Sequence, residues 1–215
     1  MIIIALIFFI IISLIIMYNN KMLSKEEIII VIDAGHGGSN IGAVSPSGIL
    51  ERDINLAIAK YIKKELEDKY KVILTRNDDD YISPRKRVEI AEQSNATLIL
   101  SIHQNSYENN CSKGGSEFYQ NNRELRSLGF SIQDSLNKKL NFSKRQEQKS
   151  QDFSIFKTDI PTILFEVNFI CNENIAKILN KSENQEKIAQ IIADEIYSYL
   201  NKGTTTWKIT LRKAE

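Results

Sequence analysis

The stretch IIIVIDAGHGGSNIG, residues 28–42, sets a β-branched run directly against a glycine-rich loop. Residues 28–32 are continuously apolar, the pattern of a strand buried on both faces. The loop at 35–48 carries Gly37, Gly38, Gly42 and Pro46 beyond its first glycine. It also holds His36, one of only two histidines in the chain. A helix is predicted over 51–68, because Ile54, Ile58, Tyr61, Ile62 and Leu66 recur at helical spacing. Strand, loop and helix in that order begin a parallel β–α–β unit.

The same alternation continues along the chain. KVILT (71–75) reads as a second strand, and Pro84 suits the start of a helix that runs towards Ser94. TLILSIH (97–103) reads as a third strand and GGSEFYQ (114–120) as a fourth. Leu125, Leu128, Ile132, Leu136 and Leu140 lie along one side of a helix over 125–140. PTILFEV (161–167) is another buried strand, and helices near 175–179 and 185–200 close the domain. The pattern predicts one α/β domain of three layers, a mostly parallel sheet flanked by helices. It spans 28–201, after a membrane segment (1–20) and a linker (21–27), and before a tail (202–215) with Trp207, Ile209 and Leu211 at period two.

The chain has 215 residues, 42% hydrophobic and 26% charged, with a formal net charge of +1. That is ordinary globular usage, without the concentrated basic field of a nucleic-acid binder. The short basic run Arg85-Lys86-Arg87 reads as a solvated helix face. Cys111 and Cys171 form neither a CxxC nor a disulfide framework, and they are free to pair if the fold brings them together. From Met1 to Tyr18 there is no charged side chain, and the first is Lys21. As a helix this segment covers roughly 27 Å, near the thickness of a bilayer core. No small-residue cleavage site follows it, so it reads as an uncleaved signal-anchor.

Four polar residues fall at strand ends or at the start of the next element. His36 follows the first strand, Glu51 opens the first helix, His103 ends the third strand and Glu166 lies near the end of TILFEV. In parallel α/β sheets these positions share one edge, so residues scattered in sequence converge there. Two imidazoles and one carboxylate form a catalytic zinc set that leaves a fourth position for water. Zinc lowers the pKa of water to about 7, and a second carboxylate is then needed to move the proton. Glu166 is the candidate, because a carboxylate amid apolar neighbours is costly unless it has a task or a partner. Asp33 is expected to orient His36 from behind the metal. Taken singly, each residue also has a bland reading, as a turn histidine, a helix-start acid or a rim residue.

The motifs IDAGHGGSNIGA, GILERDINLAIA, VILTRNDD, RKRVEIAEQSNATLILSIHQNS, GGSEFYQ and PTILFEVNFICN occur in one order over about 28–200. In them the chain resembles the zinc-dependent N-acetylmuramoyl-L-alanine amidases of bacterial cell-wall turnover, the type-3 amidase family. The resemblance implies zinc held by His36, Glu51 and His103, with Glu166 as catalytic acid and base. It places Asn105 at a polar, substrate-binding position beside the metal. The chain departs from the family pattern at Ala34 and at Asn168-Phe169, none of them a proposed ligand. Within the family it looks most like the membrane-anchored amidases of spore formers, which act in cortex maturation, muramic-δ-lactam formation and germination. That implies peptidoglycan as substrate and a location outside the cytoplasmic membrane. Three ligands and an open edge would hold zinc loosely, so a protein partner that stabilises the zinc-loaded form is expected. The competing readings are a non-catalytic wall-binding protein on the same fold and a zinc peptidase of the wall.

Overall fold

The structure, a computed structural model, describes residues 11–13, 27–107, 111, 114–143, 145 and 152–202. The expected membrane segment at 1–20, apart from 11–13, and the expected tail beyond 202 lie outside the described residues. Among the described residues no helix is long and apolar enough to cross a membrane.

Five strands form one sheet: β1 (Ile29–Ala34), β2 (Lys71–Leu74), β3 (Leu98–Asn105), β4 (Glu117–Gln120) and β5 (Thr162–Phe169). Their order is β2-β1-β3-β5-β4. Neighbours run parallel except β4, which lies antiparallel to β5, so the sheet is mixed at one edge. The chain passes from β1 to β2 on one side and then crosses back to β3 on the other side of β1. Such a switch point opens a crevice beyond the carboxyl ends of the strands.

Helices α1 (Glu51–Leu66), α2 (Pro84–Gln93), α3 (Arg126–Leu140), α4 (Glu173–Leu179) and α5 (Ser182–Lys202) flank the sheet. Strand alternation sends Ile30, Ile32, Leu100, Ile102 and Phe165 to one face. There they pack with Ile54, Ile58 and Ile62 of α1 and Ile188, Ile192 and Ile196 of α5. Val31, Ile99 and Leu164 point to the other face, against Val88 and Ala91 of α2 and Ile155 of a 3₁₀ turn, Ser154–Phe156. The predicted three layers are therefore present. Helix α2 begins where Pro84 predicts, with the Ser83 side chain accepting from the Lys86 N–H.

The basic run at the start of α2 is not one solvated face. The side chain of Arg85 is 91% exposed, whereas that of Arg87 is 7% exposed and contacts Asp33. Arg87 lies one turn before the buried Ala91, so helical periodicity turns it inward while its neighbours stay in water. Cys111 and Cys171 pair as a disulfide, with Cα atoms 5.6 Å apart. It joins the segment after β3 to the segment after β5, the two strands that carry His103 and Glu166.

Candidate metal centre

The cleft lies over the carboxyl ends of β1, β3 and β5 and has a volume of about 490 Å³. His36, Glu51, His103, Asn105 and Glu166 all line it. The four residues expected to converge thus do so, with Asn105 beside them.

One donor atom from each of His36, Glu51 and His103 lies within 4.8 Å of the others. His36 Nε2 is 3.1 Å from Glu51 Oε2, and His103 Nδ1 is 3.0 Å from Glu51 Oε1. The imidazole of His36 is oriented by Asn40, whose Oδ1 sits 2.9 Å from Nδ1. The same oxygen accepts from the Gly42 N–H, so it acts as an acceptor and Nδ1 carries the hydrogen. In neutral His36 the Nε2 lone pair then faces the Glu51 carboxylate, and only a proton or a cation between them makes that contact favourable. Backbone donors from Ala43 and Gln104 and the Asn55 amide hold the two carboxylate oxygens in place. Burial alone would raise the Glu51 carboxyl, but hydrogen bonds and charge from His103 and His36 hold it well below the ordinary carboxylate range. Burial likewise disfavours a charged His103, yet Glu51 outweighs it and pushes the imidazole up to about 9. The site is built to attract positive charge, and this donor set fits a divalent metal that accepts nitrogen and oxygen ligands.

The glycines around His36 have defined tasks. His36 itself adopts φ 62°, the left-handed region that a non-glycine residue seldom occupies. Gly42, at φ 68°, leaves room that a Cβ would take from Glu51 Oε2 and the His36 ring. A Cβ at Gly35 would run into the His103 ring. Two buried arginines hold this backbone. Arg87 donates to the carbonyls of Ala34 and His36, and Arg76 to those of Ala34 and Gly35. Strain of this kind persists where the surroundings over-determine it.

Asp33 is buried, and among the described residues it makes no hydrogen bond to the His36 side chain. It accepts from Thr75 Oγ1 at 2.7 Å, Arg87 Nη1 at 2.6 Å and Ser101 Oγ at 2.7 Å. Strand alternation turns it towards α2, with Val31, so its link to His36 runs through Arg87 and the His36 carbonyl. The expected direct contact is therefore replaced by Asn40, four residues beyond His36 in the loop.

Glu166 sits on β5 opposite His103 of β3 and Glu117 of β4. Its Oε2 is buried without a hydrogen-bond partner among the described residues. Burial pushes its carboxyl up to about 7, assisted by the charges of Glu51 and Glu117 and opposed by His103. A carboxyl poised near neutrality can both take and return a proton.

Sequence reasoning missed Arg76, Arg87, Glu117 and Arg145. Glu117 is fully buried and bonds to Asn105 Nδ2 at 2.9 Å and Arg145 Nη1 at 2.7 Å. The helical phase of Arg87 carried a usable signal. The Glu117–Arg145 pair spans 28 residues and left none.

Residues 30–198 match the N-acetylmuramoyl-L-alanine amidase family. The chain is 35% identical over 175 residues to an uncharacterised protein of Bacillus subtilis (strain 168), YqiI, covering 80% of this chain and 84% of that one. It is 29% identical over 188 residues to the germination-specific N-acetylmuramoyl-L-alanine amidase of the same organism, covering 80% and 79%. Among solved structures it is similar to the CwlD amidase from Clostridioides difficile, determined in complex with the GerS lipoprotein. That likeness has a TM-score of 0.75 and 32% identity, and covers 81% of this chain and 99% of that one.

Proposed function

The chain belongs to the N-acetylmuramoyl-L-alanine amidase family, and from that premise we propose that it works on peptidoglycan with zinc held by His36, Glu51 and His103. The bond cut is the amide between the lactyl group of N-acetylmuramic acid and the L-alanine of the stem peptide. The observation that carries this reading is the convergence of three donors and a partnerless buried carboxylate oxygen on one cleft.

Zinc bound there supplies Lewis acidity, which lowers the pKa of water and polarises a carbonyl. Glu166 takes the proton of the attacking water as oxygen adds to the lactyl carbonyl carbon. It then gives that proton to the departing nitrogen as the C–N bond breaks. Asn105, on the wall of the cleft, contacts the substrate. Asp33 holds Arg87, and Arg87 holds the loop that presents His36.

The proposed biological setting is spore cortex maturation and germination, and germination stands in the name of one relative. The uncharged segment at 1–20 anchors the chain, with the domain outside the cytoplasmic membrane, in the envelope or the forespore intermembrane space. The Cys111–Cys171 disulfide supports an oxidising compartment. The lipoprotein complex of the similar CwlD structure supports a protein partner, whose proposed task is to stabilise the zinc-loaded form.

The products separate this reaction from peptidase action. The zinc-loaded full chain, given purified muropeptides, is expected to release intact stem peptides with N-terminal L-alanine, identified by mass spectrometry. Fragments cut within the peptide would contradict the assignment.

A further inference from the structure

Glu117 is a fully buried carboxylate that the reaction above does not use. It lies on β4, while Asn105 lies on β3, so their hydrogen bond crosses β5, the strand that carries Glu166. The other Glu117 oxygen takes the Arg145 guanidinium, which is fixed in turn over the rings of Phe169 and Tyr107, 4.5 and 5.6 Å from their centroids.

The chemistry of these partners fixes the orientation of the Asn105 amide. A carboxylate ion-paired to arginine only accepts, so the Asn105 atom facing Glu117 Oε2 is the nitrogen. The Ser106 N–H only donates, so the atom it meets at 2.8 Å is the Asn105 oxygen. Turning the amide over would set oxygen against carboxylate and NH₂ against N–H. Asn105 is therefore held in one orientation, with its oxygen on the Ser106 N–H and one Nδ2–H on Glu117. Its second Nδ2–H has no partner among the described residues, and Asn105 lines the cleft beside His103 and Glu166.

We infer that Glu117, held by Arg145, is a positioning residue that fixes the Asn105 amide so that its second Nδ2–H donates to a carbonyl oxygen of the bound muropeptide. The inference rests on the substrate reading above and deepens it by naming which substrate atom class this wall of the cleft selects. Glutamine at 117 can offer its own NH₂ to Asn105, which sets the Glu117 position against the orientation that the Ser106 N–H still favours. An asparagine with no task in the cleft would lose nothing by this change, whereas one that must donate there is held less firmly for it.

The test is a double-mutant cycle on binding, carried out in zinc-loaded full chain bearing Glu166→Gln, so that bound muropeptide is not turned over. Calorimetry gives Kd for N-acetylmuramoyl peptide in that parent and with Asn105→Ala, Glu117→Gln or both added. Asn105→Ala is expected to weaken binding about tenfold, the scale of one hydrogen bond. Glu117→Gln is expected to weaken it several-fold, and the pair together no more than Asn105→Ala alone. Arg145→Lys, at a partly exposed side chain, provides a second route if Glu117→Gln fails to fold. It too is expected to weaken binding only when Asn105 is present. A Glu117 or Arg145 effect equally large without Asn105 would mark a merely structural role and overturn the inference, as would no effect of either variant. A parent that binds no muropeptide would instead overturn the substrate reading beneath it.

Discussion

Glu166→Gln is expected to lower amide hydrolysis by about 10²–10⁴-fold, the scale of a positioned acid–base group. Zinc content is expected to stay at the level of the unmodified chain, because Glu166 is not among the three converging donors. The substitution keeps size and shape and removes only the ability to take a proton. The same residue sets a pH dependence. Burial pushes the Glu166 carboxyl up to about 7, so the base form is lost as pH falls through that region rather than through the ordinary carboxylate range. The rate of the unmodified chain is thus expected to decline on the acid side of neutrality, and the remaining rate of Glu166→Gln to lack that limb. Near-normal turnover in the variant, measured by release of stem peptide, would remove Glu166 from the reaction.

Arg87→Ala is expected to destabilise the fold by about 3–5 kcal/mol, the cost of leaving one partner of a buried ion pair uncompensated. For a domain of this size that lowers Tm by roughly 6–20 °C. The pair is closed from solvent, with Asp33 2% exposed and Arg87 Nη1 2.6 Å from its oxygen. Burial alone would raise the Asp33 carboxyl, but the Arg87 charge and hydrogen bonds from Ser101 and Arg87 bring it below its ordinary value. A folded-state pKa below the unfolded one gives stability that is present above about pH 4 and is lost as pH falls through the folded value. In Arg87→Ala that contribution is missing, so the gap between the two proteins is widest near neutrality and narrows in acid. Thermal unfolding of both chains from pH 7 to pH 3 measures it. A gap under 1 kcal/mol at pH 7 would show that Arg87 holds only the His36 loop and not the fold.

The order of elements was legible because each strand is a short apolar run punctuated by turn residues or followed by a helical period. The strands extend further than the apolar runs suggested at both catalytic ends. β3 reaches Asn105 and β5 reaches Phe169, because the polar residues Gln104, Asn105 and Asn168 continue the strands at the cleft edge. His36, Glu51, His103 and Glu166 were legible for the same reason. They sit where strands end or helices begin, and parallel topology brings those points together. What holds them was not legible. Asp33 is three residues from His36, yet alternation along β1 sends its side chain to α2 instead. Arg87 looked like one charge in a basic run, and only its phase relative to Val88 and Ala91 turns it inward. Glu117 sits in GGSEFYQ, where a strand covered on both faces shows no alternation that would mark a buried acid. Its partners, Asn105 and Arg145, lie 12 and 28 residues away, so the network exists only in the fold.

The most direct measurement is zinc content and muropeptide cleavage determined together on the purified full chain, before and after chelation. About one zinc per chain is expected, with release of stem peptides bearing N-terminal L-alanine. Both are expected to disappear with the chelator and return when zinc is added back. Undiminished release by the metal-free chain would contradict a hydrolytic site built on His36, Glu51 and His103.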